Sequence, residues 1–265
     1  MNRDSKFKVS RWFDLTLCLF FVLTTVAATA SLHAQSTQSS SAAAAKPSAT
    51  DFSGFWELAY NSRHITPADL TAAAIARDKR MADERTAGRV VVYASRWCNF
   101  LGMPFIMGQS PPINIVQTND ELAIFSEQNS APRHIYLDGR THPGQTEFIP
   151  TTNGHSIAHW EGDELVVDTT NFSAKGHPEI PGGGFRGIHS HLVERFKLLD
   201  DRQHLQITFT WDDPTVFVKP HTYYFVYHKM PPDTYAFEDS CDAGDAAPYE
   251  HSGGVSDPPD QDISK

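Results

Sequence analysis

Gly154 to Phe172 reads GHSIAHWEGDELVVDTTNF, and this stretch decides the fold. His155, Ile157 and His159 alternate with Ser156, Ala158 and Trp160, the period-two pattern of a half-buried strand. Glu161-Gly162-Asp163 supplies turn chemistry, and Leu165-Val166-Val167 resumes with the β-branched residues that strands favour. The stretch is therefore a hairpin with two histidines on one face. Ile188-His189-Ser190-His191 leading into Leu205-Gln206-Ile207-Thr208-Phe209 predicts a second hairpin, again with two histidines on one face.

Outward from these hairpins the signals are mostly strand and turn. Asp51 to Leu58 opens as a strand, and Val90 to Tyr93 reads as another. Ile113 to Thr118 and Glu121 to Phe125 flank Asn119-Asp120, a hairpin signal. Arg133 to Leu137 forms a strand closed by Asp138-Gly139, and Phe217 to Tyr227 forms one broken by Pro220. One helix stands apart, over Leu70 to Arg85. Thr66 is its expected N-cap, Pro67 its first helical residue and Gly88 its stop. Leu70, Ile75 and Met81 give this helix only a thin apolar stripe, which suits a surface element or a plug at a barrel end. Short strands joined by tight turns predict an all-β domain: a closed or nearly closed antiparallel barrel of lipocalin-like architecture with one N-terminal helix.

The two ends of the chain differ from its middle. Lys6, Lys8 and Arg11 precede an apolar run from Trp12 to Ala30, and Ala28-Thr29-Ala30 fits a small-x-small cleavage site, so residues 1–30 read as a signal peptide. A cut after Ala34 is the alternative, and an uncleaved anchor is the competing reading, against which Asp14 weighs. Residues 31–50 form a low-complexity linker, 51–241 the barrel domain, and 242–265 an acidic, Gly- and Pro-rich disordered tail. Export implies a periplasmic or secreted protein with no stable membrane insertion after cleavage.

The net charge is −10, and the leader carries four basic against two acidic side chains, so its loss leaves about −12. Such a surface repels nucleic acid. Removing the leader also leaves two cysteines, Cys98 and Cys241. They fit either one disulfide, worth about 4–5 kcal/mol on the chain-entropy model, or two free thiols. The sequence holds no phosphate-cradling loop, G-x-S-x-G elbow or zincin motif, and Pro181-Gly182-Gly183-Gly184 reads as a flexible loop.

Several blocks stand in a fixed order: DFSGFWEL, a cysteine ahead of GMP at 102–104, INIVQT, RHIYLDGRTHP, HWEGDELVVDTTNF, HLVERF, DDPTVFVKP and the late Cys241. In these blocks, over roughly residues 51 to 241, the chain resembles a large family of exported bacterial β-rich proteins. The resemblance implies an exported, barrel-like domain and transfers no catalytic residue. Asp242-Ala243-Gly244-Asp245 departs from the glutamate- and asparagine-containing stretch that usually follows the late cysteine in that family.

Histidine chemistry is the functional expectation, with His155, His159, His191 and Asp138 as catalytic candidates. Arg133, Asp138, Arg140 and His142 crowd one strand and its outgoing turn, where Arg133 and Arg140 suit a carboxylate or an enolate-like charge. Trp160, Phe172, Trp211 and Phe225 suit the walls of a pocket for a small, partly apolar molecule. The matching chemistry is proton transfer: elimination, isomerisation, cyclisation or hydrolysis, with no cofactor required. A bland account competes, in which Asp138 and Arg140 pair at a turn and the aromatics are core.

A metal centre is the second expectation. On one strand His189 and His191 leave the same face about 6.6 Å apart, near enough to share a divalent ion with one histidine of the neighbouring hairpin, and Asp138, Glu194 or His221 would complete the set. Glu194 falls on the opposite strand face from His191, and His155 and His159 are about 13 Å apart. A non-catalytic carrier or interaction module is the third.

Overall fold

A computed structural model of the chain describes residues 50–87, 101–109, 111–127, 129–144, 147, 149–173 and 175–236. Cys98, Cys241, the expected strand Val90 to Tyr93, residues 1–49 with the expected signal peptide and linker, and residues 242–265 lie outside the described residues. Within them, nine strands close into one barrel in sequence order. They are β1 (Gly54–His64), β2 (Ile113–Gln117), β3 (Glu121–Ser126), β4 (Asn129–Tyr136), β5 (His155–Glu161), β6 (Glu164–Thr170), β7 (His191–Leu198), β8 (His204–Asp212) and β9 (His221–Lys229). β9 returns to β1 in antiparallel register, so no edge is left open.

The barrel is mixed rather than purely antiparallel. Eight of its nine joints are antiparallel, but β4 and β5 run parallel and share only Ile135↔Ser156 and Tyr136↔Ile157. The reason lies in the connection. β4 ends at Tyr136 and β5 begins only at His155, so no tight hairpin joins them, and β5 runs in the direction of β4. Elsewhere the hairpins match their sequence signals, with Asn119-Asp120 between β2 and β3 and Gly162-Asp163 between β5 and β6.

Strict alternation fills the interior. Leu205, Ile207, Phe209 and Trp211 of β8 and Tyr223, Phe225 and Tyr227 of β9 all point inward and are buried. Phe209 packs on Tyr223 and Phe225 at ring separations of 5.0 and 5.3 Å. Phe172 and Trp211, expected to wall a ligand cavity, are instead fully buried core partners 5.5 Å apart. Trp160 stacks on buried Phe52 at 5.7 Å. These rings seal the barrel, each at a gain of about 1.5–3 kcal/mol.

One polar group crosses this interior. Arg133 of β4 donates through Nη1 to Glu194 Oε1 of β7 at 2.8 Å and through Nη2 to Oε2, both side chains being wholly buried. Nη2 also reaches Ser156 Oγ of β5 at 3.3 Å and Thr169 Oγ1 of β6 at 3.1 Å. A belt of hydrogen bonds thus spans four consecutive strands and bridges the short parallel joint.

Helix α1 (Ala72–Thr86) starts later than its sequence suggests. Ala68 N donates to Gly182 O and Leu70 forms a bridge with Phe217, which holds residues 66–70 extended. Thr71 therefore caps the helix, its Oγ1 accepting from Ala74 N at 3.1 Å. The glycine loop below is packed rather than loose. Gly182 has φ +98°, and a Cβ there would lie 2.4 Å from Thr66 O and 2.5 Å from His221 Nε2. Strand β7 also begins late, at His191. Residues 188–190 form a turn in which Gly187 N donates to Ser190 Oγ, so His189 and His191 do not share a strand. Among the described residues, no helix is long and apolar enough to cross a membrane.

Two stability outcomes follow from this architecture. Glu194→Ala leaves a buried guanidinium without its carboxylate and is expected to cost about 3–5 kcal/mol, whereas Arg133→Met with Glu194→Leu is close to neutral or stabilising. Urea unfolding followed by tryptophan fluorescence measures both, and an equal loss in the two would contradict this account. By the same method Thr71→Ala costs about 0.5–2 kcal/mol and Thr66→Ala less than about 0.5 kcal/mol.

Candidate functional site

The site begins at a glycine. Thr151 to Gly154 form a tight turn, with Gly154 N donating to Thr151 O and Thr151 Oγ1 to Gly154 O. Gly154 has φ +72°, and a Cβ there would meet Thr170 O at 2.7 Å and Phe172 at 2.8 Å. Only glycine lets the chain pass this close to β6, and the next residue is His155.

His155 is 6% exposed and forms part of the wall of a pocket of about 760 Å³ on the outside of the barrel. This size lies within the roughly 300–1,000 Å³ of small-molecule sites. The pocket lies against the outer face of β4 and the turn before β5, with Tyr136, Asn153, Lys175 and Ile188 on its walls. Asn153 turns its Nδ2 towards the carbonyls of Ala131 and Pro132 at 3.5 and 3.4 Å. Its Oδ1 is buried and has no hydrogen-bond partner among the described residues.

Behind His155 runs a chain of titratable groups. His155 Nδ1 and His142 Nδ1 are 2.8 Å apart, and His142 Nε2 is 2.9 Å from Asp168 Oδ1. The second Asp168 oxygen, Oδ2, lies 2.9 Å from His191 Nε2. Strand register explains this meeting. Asp168 stands opposite Ile157 on β5 and opposite Val193 on β7, which makes His155 and His191 its diagonal neighbours on the outer face. His142 comes from the crossover between the parallel strands.

The network assigns the protons. The hydrogen bond from His191 holds the Asp168 carboxyl below its ordinary value, so it is an acceptor on both oxygens. His142 must then carry a proton on Nε2, and when neutral it presents a bare Nδ1. His155 fills that site with its Nδ1–H, which leaves the lone pair on its own Nε2. Burial, then the neighbouring His142 and Arg140, push the His155 imidazole below its ordinary value, so it is neutral at neutral pH. The bond to Asp168 raises His191 instead. A carboxylate thus orients one imidazole, which orients a second on the wall of a pocket, an arrangement suited to general base catalysis.

Other candidates lie elsewhere. His159 is exposed and pairs with Glu161 at 3.2 Å. Asp138 is bound by Arg140, with Nε 2.9 and 3.0 Å from its two oxygens, and this holds the Asp138 carboxyl down to about 2. The Arg140 guanidinium lies 3.6 Å from the Tyr136 ring centre. These two residues form the turn pair of the bland account, and the carboxylate bonded to His142 and His191 is that of Asp168. Arg133 and Glu194 belong to the interior, on the opposite face from His191. His221 Nε2 donates to Pro181 O at 2.7 Å. His189 is exposed in its turn, and no group of three or more His, Cys, Asp or Glu is arranged to hold a metal among the described residues.

Sequence reasoning passed over Asp168 as a site residue and grouped His142 with Asp138 for acid–base work, whereas its carboxylate partner is Asp168. The turn at Gly162-Asp163 contains the missing signal for Asp168, because a two-residue turn there places residue 168 opposite residue 157 on the histidine face. His142 and Lys175 had no such marker, since both come from loops whose path only tertiary contacts fix. Comparison with protein-family models and with curated proteins finds no match to this chain.

Titration separates the two ends of the chain of groups. Histidine NMR is expected to show His191 above and His155 below 6.5, and Asp168→Asn to bring His191 back down. The raised His191 stabilises the fold below its unfolded value and loses that contribution as pH rises through its folded value. The lowered Asp168 contributes above 3.8 and loses its share as pH falls through its folded value. The pair therefore stabilises between those limits, and thermal melts from pH 3 to 9 should show a flatter profile in Asp168→Asn.

Proposed function

We propose that this is an exported small-molecule enzyme that transfers protons with His155 as general base, in an elimination, isomerisation, cyclisation or hydrolysis. One observation carries the reading: His155 forms the wall of a pocket of ligand size and is hydrogen-bonded back, through His142, to an ionised Asp168. In the forward step His155 Nε2 takes a proton from the substrate while Nδ1 passes its own to His142 Nδ1. His142 becomes an imidazolium beside Asp168, whose charge stabilises it. The reverse transfer returns a proton to the departing or rearranged group, so the enzyme ends as it began. His191 acts on Asp168 alone, as a positioning residue that fixes the carboxylate. The basic and apolar opening of the sequence supports export, and the block resemblance supports the same compartment.

Phe172 and Trp211, expected to wall a pocket, are packed on one another in the core, which supports a site on the outer wall beside His155. The surface that the lining exposes is mostly apolar, which favours a second reading: a carrier that binds without turnover. Metabolite extracts incubated with the protein and followed by mass spectrometry discriminate the two. An enzyme converts a component catalytically, and His155→Ala lowers the rate roughly 10²–10⁴-fold. A component that is retained stoichiometrically and unchanged, with His155→Ala indifferent, would establish the carrier.

A further inference from the structure

The charge of the pocket wall runs against the charge of the protein. The chain carries a net −10, yet among the described residues that line the pocket there is no aspartate or glutamate. Lys175 is the one lysine or arginine among them, and two imidazoles join it: His155, and His134, which pairs with the Glu121 carboxylate beside the wall. The rest of the lining is chiefly apolar or uncharged, including Pro132, Ile149, Pro150 and Ile188. Ile149 is 86% exposed and Ile188 42%, so both leave apolar surface in water until something covers it. An ammonium group beside low-dielectric walls attracts an anion more strongly than one in open water.

The backbone of Lys175 is held from behind, while its side chain is exposed. Its carbonyl accepts from Arg186 Nη2 at 2.9 Å, and the carbonyl of Ser173 accepts from Nη1 at 2.5 Å. Arg186 is itself fully buried, and its Nε donates to Met103 O at 2.9 Å. A buried guanidinium thus clamps the backbone on both sides of residue 174 and holds this wall against the barrel.

We infer that the pocket takes an apolar monoanion, such as an aromatic or alicyclic carboxylate, whose charge lies against Lys175 and whose hydrocarbon body covers Ile149 and Ile188. The inference rests on the His155 site being the place where ligand binds, and it adds the substrate's chemical class. A substrate of this kind places its charge on Lys175 and leaves a C–H or O–H for His155.

Two fluorescent probes separate charge from apolar binding: anilinonaphthalene sulfonate and neutral N-phenylnaphthylamine. Both are expected to bind the full folded chain and to move the His155 ring resonances in NMR. Lys175→Gln should weaken the anionic probe about three- to tenfold and leave the neutral one unchanged. Added salt should weaken the anionic probe alone. If both probes move His155 but Lys175→Gln and Lys175→Glu weaken neither, the anion assignment falls while the His155 site stands. If neither probe moves His155, the pocket accepts no apolar ligand, and both the inference and the reading beneath it are overturned. The far-ultraviolet spectrum and melting temperature of each variant confirm that it is folded.

Discussion

The contact on which the rest depends is the ion pair between Arg133 and Glu194, buried where nine strands close. A charge in an apolar interior is costly, and here partners meet both terminal nitrogens of the guanidinium, while its buried Nε has no hydrogen-bond partner among the described residues. Ser156 and Thr169 accept from the guanidinium, and their hydroxyls lie 2.9 Å from one another. The four residues stand on β4, β5, β6 and β7, so satisfying the charge requires those strands to hold one register. A slip of one residue would send Arg133 to solvent and bring His134 inside. The belt thus specifies the barrel at its weakest joint, where β4 and β5 share two residue pairs.

That joint is also where the outer wall gives room. An antiparallel hairpin would have left no more than a tight turn between β4 and β5. The parallel step requires a crossing segment, and the crossing brings His142 over the outer face while the turn at Thr151 to Gly154 builds one side of the pocket. The topology that the closed barrel tolerates at one position supplies the loop length that a site requires.

Much of the fold was legible because alternation and turn chemistry are local. The hairpins around Asn119-Asp120 and Gly162-Asp163, and the inward run of β8, follow from adjacent residues alone. The parallel joint was not legible, because nothing in residues 137–154 states the direction in which the chain will return. The helix start moved from Thr66 to Thr71 for a similar reason. Residues 66–70 have good capping chemistry, but their backbone bonds to Gly182 and Phe217 from distant parts of the chain. In the site, the alternation marked His155 and His191 as residues of histidine-bearing strand faces, but not that those faces point outward. Their convergence was not legible, since it runs through Asp168, a residue whose sequence neighbours suggest only a strand end.

The two polar systems occupy opposite sides of the same strands, and this links stability to chemistry. Arg133 points in and His134 out; Ser156 points in and His155 out; Thr169 points in and Asp168 out. The residues that order the interior therefore alternate, one by one, with those that line or build the outer site. Fixing the register for the ion pair fixes the spacing of the outer imidazoles and carboxylate, because the period of two leaves no other arrangement. A base held to hydrogen-bond tolerance needs supports more rigid than a loop. His155 and Asp168 gain theirs from the charged belt behind them, and His142 alone rests on the crossover. The geometry of the outer site is in this sense a consequence of the charge placed within.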